Sequence, residues 1–326
     1  MKIITIKDIA QMVNVSPSTV SRALKDHPDI GAELKQKIQE IAKALKFTPN
    51  TNAANLRKQK SQLIGVIIPR FIRNFVPDVV DGIAMVVDDK QYQMIIIPTN
   101  DKLEKECDAI KKCCDYRVDG ILLSVSTETK ELSHLELAKE FNIPVVLLDK
   151  SIDDSDFHQV IIDDKSMAKQ CAEYLLDLGK KNIAAFFGHE NLRISQNRHS
   201  GFSSAINSKD VQVKSFFCNS TEEAYQQTIS VLQNSKIDAF FGMSDQVLLG
   251  ILAAIIHENK LKEVSIIGFS DGKTIPFLHP EVAYVLHHGK IIGAKAAELL
   301  FQLINGEENI SKIVKLKSEI IHQSQK

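Results

Sequence analysis

The chain has 326 residues, 44% of them hydrophobic and 25% charged, a composition typical of a globular protein and a length that excludes a lone small binding module. Its formal net charge is −1, yet residues 1–60 carry 11 Lys and Arg against 5 Asp and Glu, so the remainder is acidic. A basic N-terminal segment (the head) joined to an acidic remainder is typical of a segment that binds nucleic-acid phosphates.

Targeting segments and metal sites are not predicted. No apolar run approaches the roughly 20 residues of a membrane span, and Met1–Ile6 leads directly into a helix start instead of a secretory signal. The cysteines show no metal-ligand spacing, and their odd number favours reduced thiols in the cytoplasm. They are Cys107, Cys113, Cys114, Cys171 and Cys218. No cofactor and no metal are therefore expected.

Residues 5–30 predict two short helices joined by a tight turn. Thr5 with Asp8 three positions later is a capping-box start, and the apolar residues that follow recur at helical spacing. Asn14 suits the left-handed conformation of a tight turn. Ser16 followed by Pro17 is a strong start for the second helix. The pattern is typical of a helix-turn-helix that places its second helix in the DNA major groove; the alternative is a helical hairpin on the surface of a larger fold.

The second helix divides into an apolar and a polar face. Val20, Ala23 and Leu24 are predicted to face inward. The polar face is left for base edges and phosphates, with Arg22 able to read guanine or hold a phosphate.

Residues 31–47 predict a third amphipathic helix that completes a small helical core. The polar stretch 49–57 then has marginal helix propensity and leads into the basic residues 57–60. We expect a linker that becomes helical only when something supports it.

From Leu63 onward, short apolar runs alternate with segments of helical period. The runs are 63–69, 93–98, 120–126, 143–149, 182–188, 237–242 and 264–269, and the helical segments are 78–90, 101–115, 164–179, 221–233 and 245–258. Continuous apolar strands alternating with helices predict parallel sheets covered on both faces. Because some 260 residues exceed one sheet, two α/β subdomains are expected, with a break near 150–160.

Polar residues directly after the predicted strands are candidate binding residues, because ligands of such sheets bind at the carboxyl ends of the strands. They are Arg70–Phe75, Ser124, Ser126, Asp149, Gly188–Glu190, Ser244, Asp245, Ser270 and Asp271. Each could equally be an ordinary cap or turn residue, so the prediction depends on several of them meeting in one cleft.

These features together resemble the lactose/galactose repressor family of transcription regulators, in its carbohydrate-responsive branch. The most specific match is the N-terminal pattern T-I-K-D-I-A…V-S-x-S-T-V-S-R-A-L, and Asn50, Ala53 and Leu56 match the family's hinge. Core matches include IGVIIP at 64–69, IPVVLLD at 143–149, RHSGF at 198–202 and VSIIGF at 264–269.

The resemblance implies a fold and a domain division. The fold is an all-α helix-turn-helix domain followed by two doubly wound parallel-sheet subdomains of periplasmic-binding-protein type. The implied domains are residues 1–48, a hinge at 49–61 and a core at 62–326, whose first subdomain takes about 62–160 and 290–312 and whose second takes about 161–289 and 313–326.

The resemblance also implies partners and site residues. It implies a dimer on a pseudo-palindromic operator, a hinge leucine at Leu56 that enters the minor groove, and a sugar-type effector between the subdomains. The implied DNA contacts are Thr5, Ser16, Pro17, Ser18, Thr19, Ser21, Arg22, Asn50, Asn55 and Leu56. The implied effector contacts are Asn74, Phe75, Ser124, Asp149, Arg198, Ser244, Asp245, Ser270, Asp271 and His287.

Some positions depart from the family pattern. Ala54 and Asn52 replace residues common in the hinge, which predicts weaker hinge contacts. Arg70 and Arg73 stand where acidic or small polar residues are usual, and Lys150 and His287 replace a common arginine and glutamine. The added arginines favour an anionic effector such as a uronate or a sugar phosphate.

Competing functions remain open at this level. A solute-binding protein of periplasmic type shares the two-lobed core, although the basic head and the missing signal disfavour it. An α/β enzyme is disfavoured because the sequence has no G-x-S-x-G, no phosphate loop and no partner nucleophile for His189 and Glu190. A regulator that binds a non-sugar ligand, such as a nucleobase, is the remaining alternative.

Overall fold

The structure is a computed structural model that describes residues 4–47, 60–71, 75–150, 152, 155–206 and 210–322. The chain forms two compact units, Met1–Ser61 and Gln62–Lys326. No helix in these described ranges is long and apolar enough to cross a membrane.

Three helices form the described part of the first unit: α1 (Ile6–Val13), α2 (Pro17–Leu24) and α3 (Ala32–Ala44). The predicted capping box is present, since Thr5 and Asp8 exchange hydrogen bonds at the start of α1, and Asn14 adopts a left-handed φ of 56°. Ile9, Val20, Ala23 and Ile38 are buried together where the three helices meet. The tight turn and this shared core define a helix-turn-helix.

The first subdomain of the second unit contains a six-stranded sheet with the order β11-β5-β4-β3-β1-β2, in which all strands are parallel. Its elements are β1 (Leu63–Ile68), α4 (Phe75–Asp89), β2 (Gln93–Pro98), α5 (Leu103–Asp115), β3 (Gly120–Leu123), α6 (Glu136–Glu140), β4 (Val145–Leu148), β5 (His158–Ile162), and later α12 (Gly289–Ile304) and β11 (Ile313–Leu316).

The second subdomain repeats the plan with the order β12-β10-β9-β8-β6-β7, parallel except for the short edge strand β12. Its elements are α7 (Asp164–Asp177), β6 (Asn182–Phe187), α8 (Arg193–Ser204), β7 (Gln212–Phe217), α9 (Thr221–Asn234), β8 (Ala239–Gly242), α10 (Asp245–His257), β9 (Ser265–Ser270), α11 (Ile275–Leu278), β10 (Ala283–Leu286) and β12 (Ile320–Ile321).

Strand residues alternate between two buried faces, which explains why the strands are continuous apolar runs. On β1, Ile64, Val66 and Ile68 pack with the layer that holds α4 and α12. Ile67 points the other way, into the cluster that includes Ala109 and Cys113 of α5. The prediction of two parallel sheets covered on both sides is confirmed.

The chain passes between the two subdomains three times: after β5, after β10 and after β11. Our predicted boundary at residue 312 is wrong, because Ile313–Leu316 pairs in parallel with β5 and so belongs to the first sheet. The strand has the sequence Ile-Val-Lys-Leu, and its one lysine suits a sheet edge but gives no indication of which sheet the strand joins.

Candidate functional site

Some polar side chains of the helix-turn-helix cap the helices, and others face outward. The Ser16 hydroxyl accepts from the Thr19 amide at 3.1 Å and lies 2.6 Å from the Ser18 hydroxyl, so it holds the start of α2. Thr5 is similarly engaged with Asp8, at 2.6 Å between the side chains. Pro17, Ser18 and Arg22 are exposed.

The predicted DNA contacts therefore divide into two groups. Pro17, Ser18 and Arg22, with the half-buried Thr19 and Ser21, lie on α2, whereas Thr5 and Ser16 serve the caps. Asn50, Asn55 and Leu56 lie outside the described residues.

In the second unit, a cavity of about 160 Å³ lies at the carboxyl ends of β1, β3 and β4. This is the point where the strand order reverses, and ligands of doubly wound sheets bind there. Phe75, Ser124 and Asp149 line it, together with Arg70, Asp101 and Lys150. Asn74, also predicted for this site, lies outside the described residues.

Asp149 ends β4 in a left-handed conformation, with φ of 67°. Its Oδ1 lies 3.3 Å from His287 Nε2, and the His287 ring lies against Phe75 with 4.1 Å between centroids. Burial by itself would raise the pKa of Asp149, but the contact with His287 and the charges of Lys150 and Arg198 outweigh it and lower the pKa below its ordinary value.

Arg198 is the largest fully buried side chain, with 2% of its surface exposed. Its Nε donates to Asp164 Oδ1 at 2.7 Å, its Nη1 donates to the Met243 carbonyl, and its guanidinium lies 3.7 Å from the centre of the Phe269 ring. Burial raises the pKa of Asp164, although the Arg198 charge opposes that rise. The guanidinium is thus fixed on three sides.

Three buried polar atoms at this place make no well-aligned hydrogen bond among the described residues: Asp149 Oδ1, Arg198 Nη2 and His287 Nε2. Arg198 Nη2 nevertheless lies 2.7 Å from Asp164 Oδ1, the oxygen that already receives Nε, so this atom is ion-paired. The 3.3 Å contact between Asp149 and His287 is therefore an electrostatic pairing and not a well-aligned hydrogen bond. Buried polar groups are normally hydrogen-bonded, so such a set indicates a place where a ligand supplies the partners. It offers one acceptor, one fixed cationic donor and one imidazole.

The remaining predicted residues support the loops of the second subdomain. Ser244 caps α10 by accepting from the Val247 amide. Asp245 accepts from the Ser270 hydroxyl at 2.5 Å and from the Asp271 amide at 2.9 Å. Burial raises the pKa of Asp245, although these two hydrogen bonds oppose the rise.

Two carboxylates of this region were not predicted. Asp164 holds Arg198, and Asp101 lines the cavity. Asp164 follows the apolar residues 160–162, which end β5, but the polar residues 150–159 before them concealed the strand. No group of three or more His, Cys, Asp and Glu side chains in the described part of the chain could hold a metal ion.

Comparisons with known proteins agree with the fold. Residues 5–50 match the family model described as "Bacterial regulatory proteins, lacI family", and residues 61–323 match "Periplasmic binding proteins and sugar binding domain of LacI family". The chain is thus a two-lobed sensor joined to a helix-turn-helix, and it belongs to the LacI family of DNA-binding transcription regulators.

Individual relatives span the whole chain. A protein of Bacillus subtilis (strain 168) named "Probable HTH-type transcriptional repressor ExuR" is 30% identical over 94% of this chain and 93% of its own length. The "HTH-type transcriptional repressor PurR" of Vibrio atlanticus is 24% identical over 98% of each chain. Among solved structures, a lac repressor dimer bound to operator and an anti-inducer aligns with TM-score 0.87, 21% identity and 98% of both chains covered.

Proposed function

We propose that the chain is a repressor that binds a pseudo-palindromic operator as a dimer and responds to a small sugar-type effector in the cleft. The observation that carries the effector site is the set of three buried polar atoms that make ion-pair contacts but no well-aligned hydrogen bond, Asp149 Oδ1, Arg198 Nη2 and His287 Nε2. Asp149 belongs to the first subdomain, Arg198 to the second, and His287 to a segment that joins them. One ligand that hydrogen-bonds to all three therefore fixes the position of one subdomain relative to the other.

A sugar fits this set chemically. Its hydroxyls are donors for the Asp149 carboxylate and acceptors for the Arg198 guanidinium, and its C–H face suits the ring of Phe75. Neighbours in fold bind such ligands, since solved structures include CelR with cellobiose and Cra of Pseudomonas putida with fructose 1-phosphate.

The effector controls DNA binding by shifting the population between two arrangements of the subdomains. A ligand changes the equilibrium between two arrangements of the subdomains only by as much as it binds one of them more tightly. The arrangement then determines whether two helix-turn-helix heads reach successive major grooves. This role places the protein with the DNA in the cytoplasm, as a regulator and not an enzyme.

The test measures DNA binding by fluorescence anisotropy with the full chain, over a salt series and with added sugars. We expect affinity to fall steeply with salt and to change with one class of sugar. Arg22→Ala should cost about 1–3 kcal/mol of binding free energy at the operator. Lys105→Gln, which removes an exposed charge outside the head, serves as the control.

Two results would contradict the proposal. One is the absence of DNA binding at low salt. The other is an Arg198→Ala variant that folds and still responds to the sugar as the wild type does.

A further inference from the structure

Ser270, the last residue of β9, is a buried serine with hydrogen bonds in three directions, and 1% of its surface is exposed. Its hydroxyl donates to Asp245 Oδ1 at 2.5 Å and accepts from the Gly272 amide at 3.1 Å. Its carbonyl accepts from the His287 amide at 2.8 Å. One residue thus joins the start of α10, the turn after β9 and the segment after β10.

The turn of residues 270–273 is bound to the carboxylate of Asp245. The Asp271 amide donates to Asp245 Oδ2 at 2.9 Å, so both oxygens of this carboxylate accept from the turn. Gly272 has a φ of 76°, a left-handed conformation that glycine adopts without strain. The Lys273 amide donates to Asp271 Oδ1 at 2.8 Å. The backbone of the whole turn is therefore fixed by hydrogen bonds.

Two contacts with the first subdomain start from the residues held in this way. The Lys273 ammonium group contacts Asp78 on α4. The His287 ring lies against Phe75, also on α4, and its Nε2 lies 3.3 Å from Asp149 Oδ1. Phe75 and Asp78 are about one helical turn apart. Both contacts therefore reach the same end of α4.

The contact made by Lys273 depends on how well its backbone is held. The lysine side chain is half-exposed, and ion pairs of exposed lysines are weak because ordering a long side chain costs conformational entropy. A fixed backbone lowers that cost, since fewer bonds have to be ordered when the pair forms. Without the Ser270 hydroxyl, the Gly272 amide and Asp245 Oδ1 would both lose a buried partner, which favours a rearranged turn.

We propose that Ser270 is a positioning residue that couples the effector site to closure of the cleft, because it holds both His287 and the turn that carries Lys273. The consequence for regulation rests on the proposed function, whereas the coupling itself is a property of the ligand-free chain. An effector that pairs with His287 acts on the same hydrogen-bonded unit as the ion pair between Lys273 and Asp78. Binding and closure are then one equilibrium, which a ligand shifts through the groups that differ between the open and closed arrangements.

The experiment measures hydrogen exchange of the ligand-free, full-length protein by mass spectrometry. The test variant is Ser270→Ala, which removes the hydroxyl and keeps the backbone. The control is Ser265→Ala, the same change at the other end of β9. Lys273→Ala and the double variant of Ser270→Ala with Lys273→Ala complete a cycle that measures whether the two residues act together.

We expect Ser270→Ala to raise the exchange rate of residues 75–82 about two- to tenfold, the range that corresponds to one buried hydrogen bond. These residues lie on α4 in the other subdomain and carry no substitution. Residues 183–187 of β6, in the same sheet as Ser270, should exchange as in the wild type, which separates positioning from a general loss of structure. Ser265→Ala should also exchange as the wild type does.

Two further variants sharpen the test. The double variant should exchange like Ser270→Ala alone, because the ion pair of Lys273 is already lost when the turn rearranges. Asp245→Ala removes the acceptor on the other side of the same hydrogen bond, so it should accelerate exchange of residues 75–82 to a similar extent. It also keeps the test possible if Ser270→Ala does not fold.

Three results would overturn the inference: wild-type exchange of residues 75–82 in Ser270→Ala and Asp245→Ala, effects of Ser270→Ala and Lys273→Ala that add in full, or an equal acceleration in Ser265→Ala. DNA binding is measured on the same samples. If exchange changes as expected but DNA is not bound at low salt, the regulator fails and the positioning role stands. If DNA is bound and released by a sugar while exchange is unchanged, the positioning role alone fails.

Discussion

Arg198 and Asp164 form a buried ion pair, and replacing either side chain alone should destabilise the folded protein. Both are buried, and Asp164 Oδ1 receives Nε of Arg198 at 2.7 Å. Removing one partner of such a pair leaves the other charge without compensation, whereas removing both is much less costly.

We expect Arg198→Met to lower the free energy of unfolding by about 3–5 kcal/mol. The double variant Arg198→Met with Asp164→Asn should recover a large part of that loss. Urea unfolding of the ligand-free protein measures both. A double variant as unstable as the sum of the two single variants would contradict this account, because it would mean that the residues act independently.

Asp245 should make stability increase as the pH falls below neutral. Burial raises its pKa from 3.8 in the folded state, so the folded protein binds the proton more tightly than the unfolded chain does. The stabilisation therefore grows as the pH falls through the folded pKa toward 3.8 and is lost as the pH rises. In melting experiments at pH 7 and pH 5, the advantage of the wild type over Asp245→Asn should increase at the lower pH.

Asp149 serves as a control, because its pKa is shifted in the opposite direction to that of Asp245. Its pKa is lowered in the folded state, so its contribution is present above 3.8 and is lost only as the pH falls further, through the folded pKa. Asp149→Asn should therefore show no gain for the wild type between pH 7 and pH 5. If Asp245→Asn and Asp149→Asn showed the same change in stability between pH 7 and pH 5, the opposite pKa shifts of the two residues would be ruled out.

The sequence identified most of the residues that meet at the proposed effector site but not the side chains that hold them in place. Phe75, Ser124, Asp149 and His287 meet at one place because polar residues after parallel strands share an edge of the sheet. Ser244 and Asp245 support loops, a role that only their hydrogen bonds reveal. Asp164 was missed because its contact with Arg198 spans 34 residues and no local pattern encodes it.

At the scale of elements, the close contact between α4 and α12 depends on glycine. A Cβ on Gly293 would lie 2.0 Å from the Val79 carbonyl oxygen, and one on Gly289 would lie 2.6 Å from that of Phe75. These distances involve backbone atoms, which cannot rotate away. The contact also fixes Phe75 at the start of α4 against His287, which lies two residues before the start of α12.

We expect Gly293→Ala to destabilise the second unit by about 1–3 kcal/mol through overpacking. Thermal unfolding measures the effect. Gly31→Ala is the control, because a Cβ there meets nothing within 4 Å. Equal melting temperatures for Gly293→Ala and the wild type would show that the helices can separate freely.

Strands with a continuous apolar run were predicted, including the edge strand β2, and strands without such a run were not. β1, β3, β4, β8 and β9 are continuous apolar runs and lie inside the sheets. β7 is an edge strand with four of its six residues exposed, and β5 begins in a polar segment, so neither shows the apolar run. Helix α8 was also missed, because its sequence is mostly polar.

At the scale of the whole molecule, an ion pair between described residues connects the two subdomains across the cleft. Lys273 follows β9 of the second subdomain, and its Nζ contacts Asp78 on α4 of the first. Lys273 is half-exposed, and the hydrogen bond to Asp78 raises its pKa. The pair favours the closed arrangement, but only modestly, because exposed ion pairs are weak.

We expect Lys273→Ala to increase the open population by a few-fold at most, because ion pairs of exposed side chains are weak. Hydrogen exchange of peptides spanning 75–79 and 270–274, in the ligand-free protein, should become faster. Exchanging the charges, with Lys273→Asp and Asp78→Lys together, should restore the slower rate. If the single variant exchanges like the wild type, the ion pair does not influence closure.

Because the chain passes between the subdomains three times, the first lobe cannot be completed until residues near the end of the chain have been synthesised. The first sheet acquires its edge strand β11 and its covering helix α12 only from residues 289–316, almost at the end of the chain. On the ribosome, residues 63–162 therefore emerge early and wait with an open sheet edge and an uncovered apolar face while the second lobe is translated. Such an intermediate exposes the surfaces from which aggregation starts. We expect a chain truncated before residue 289 to aggregate more readily than the full chain, because the truncation removes the helix and the edge strand that complete the first lobe.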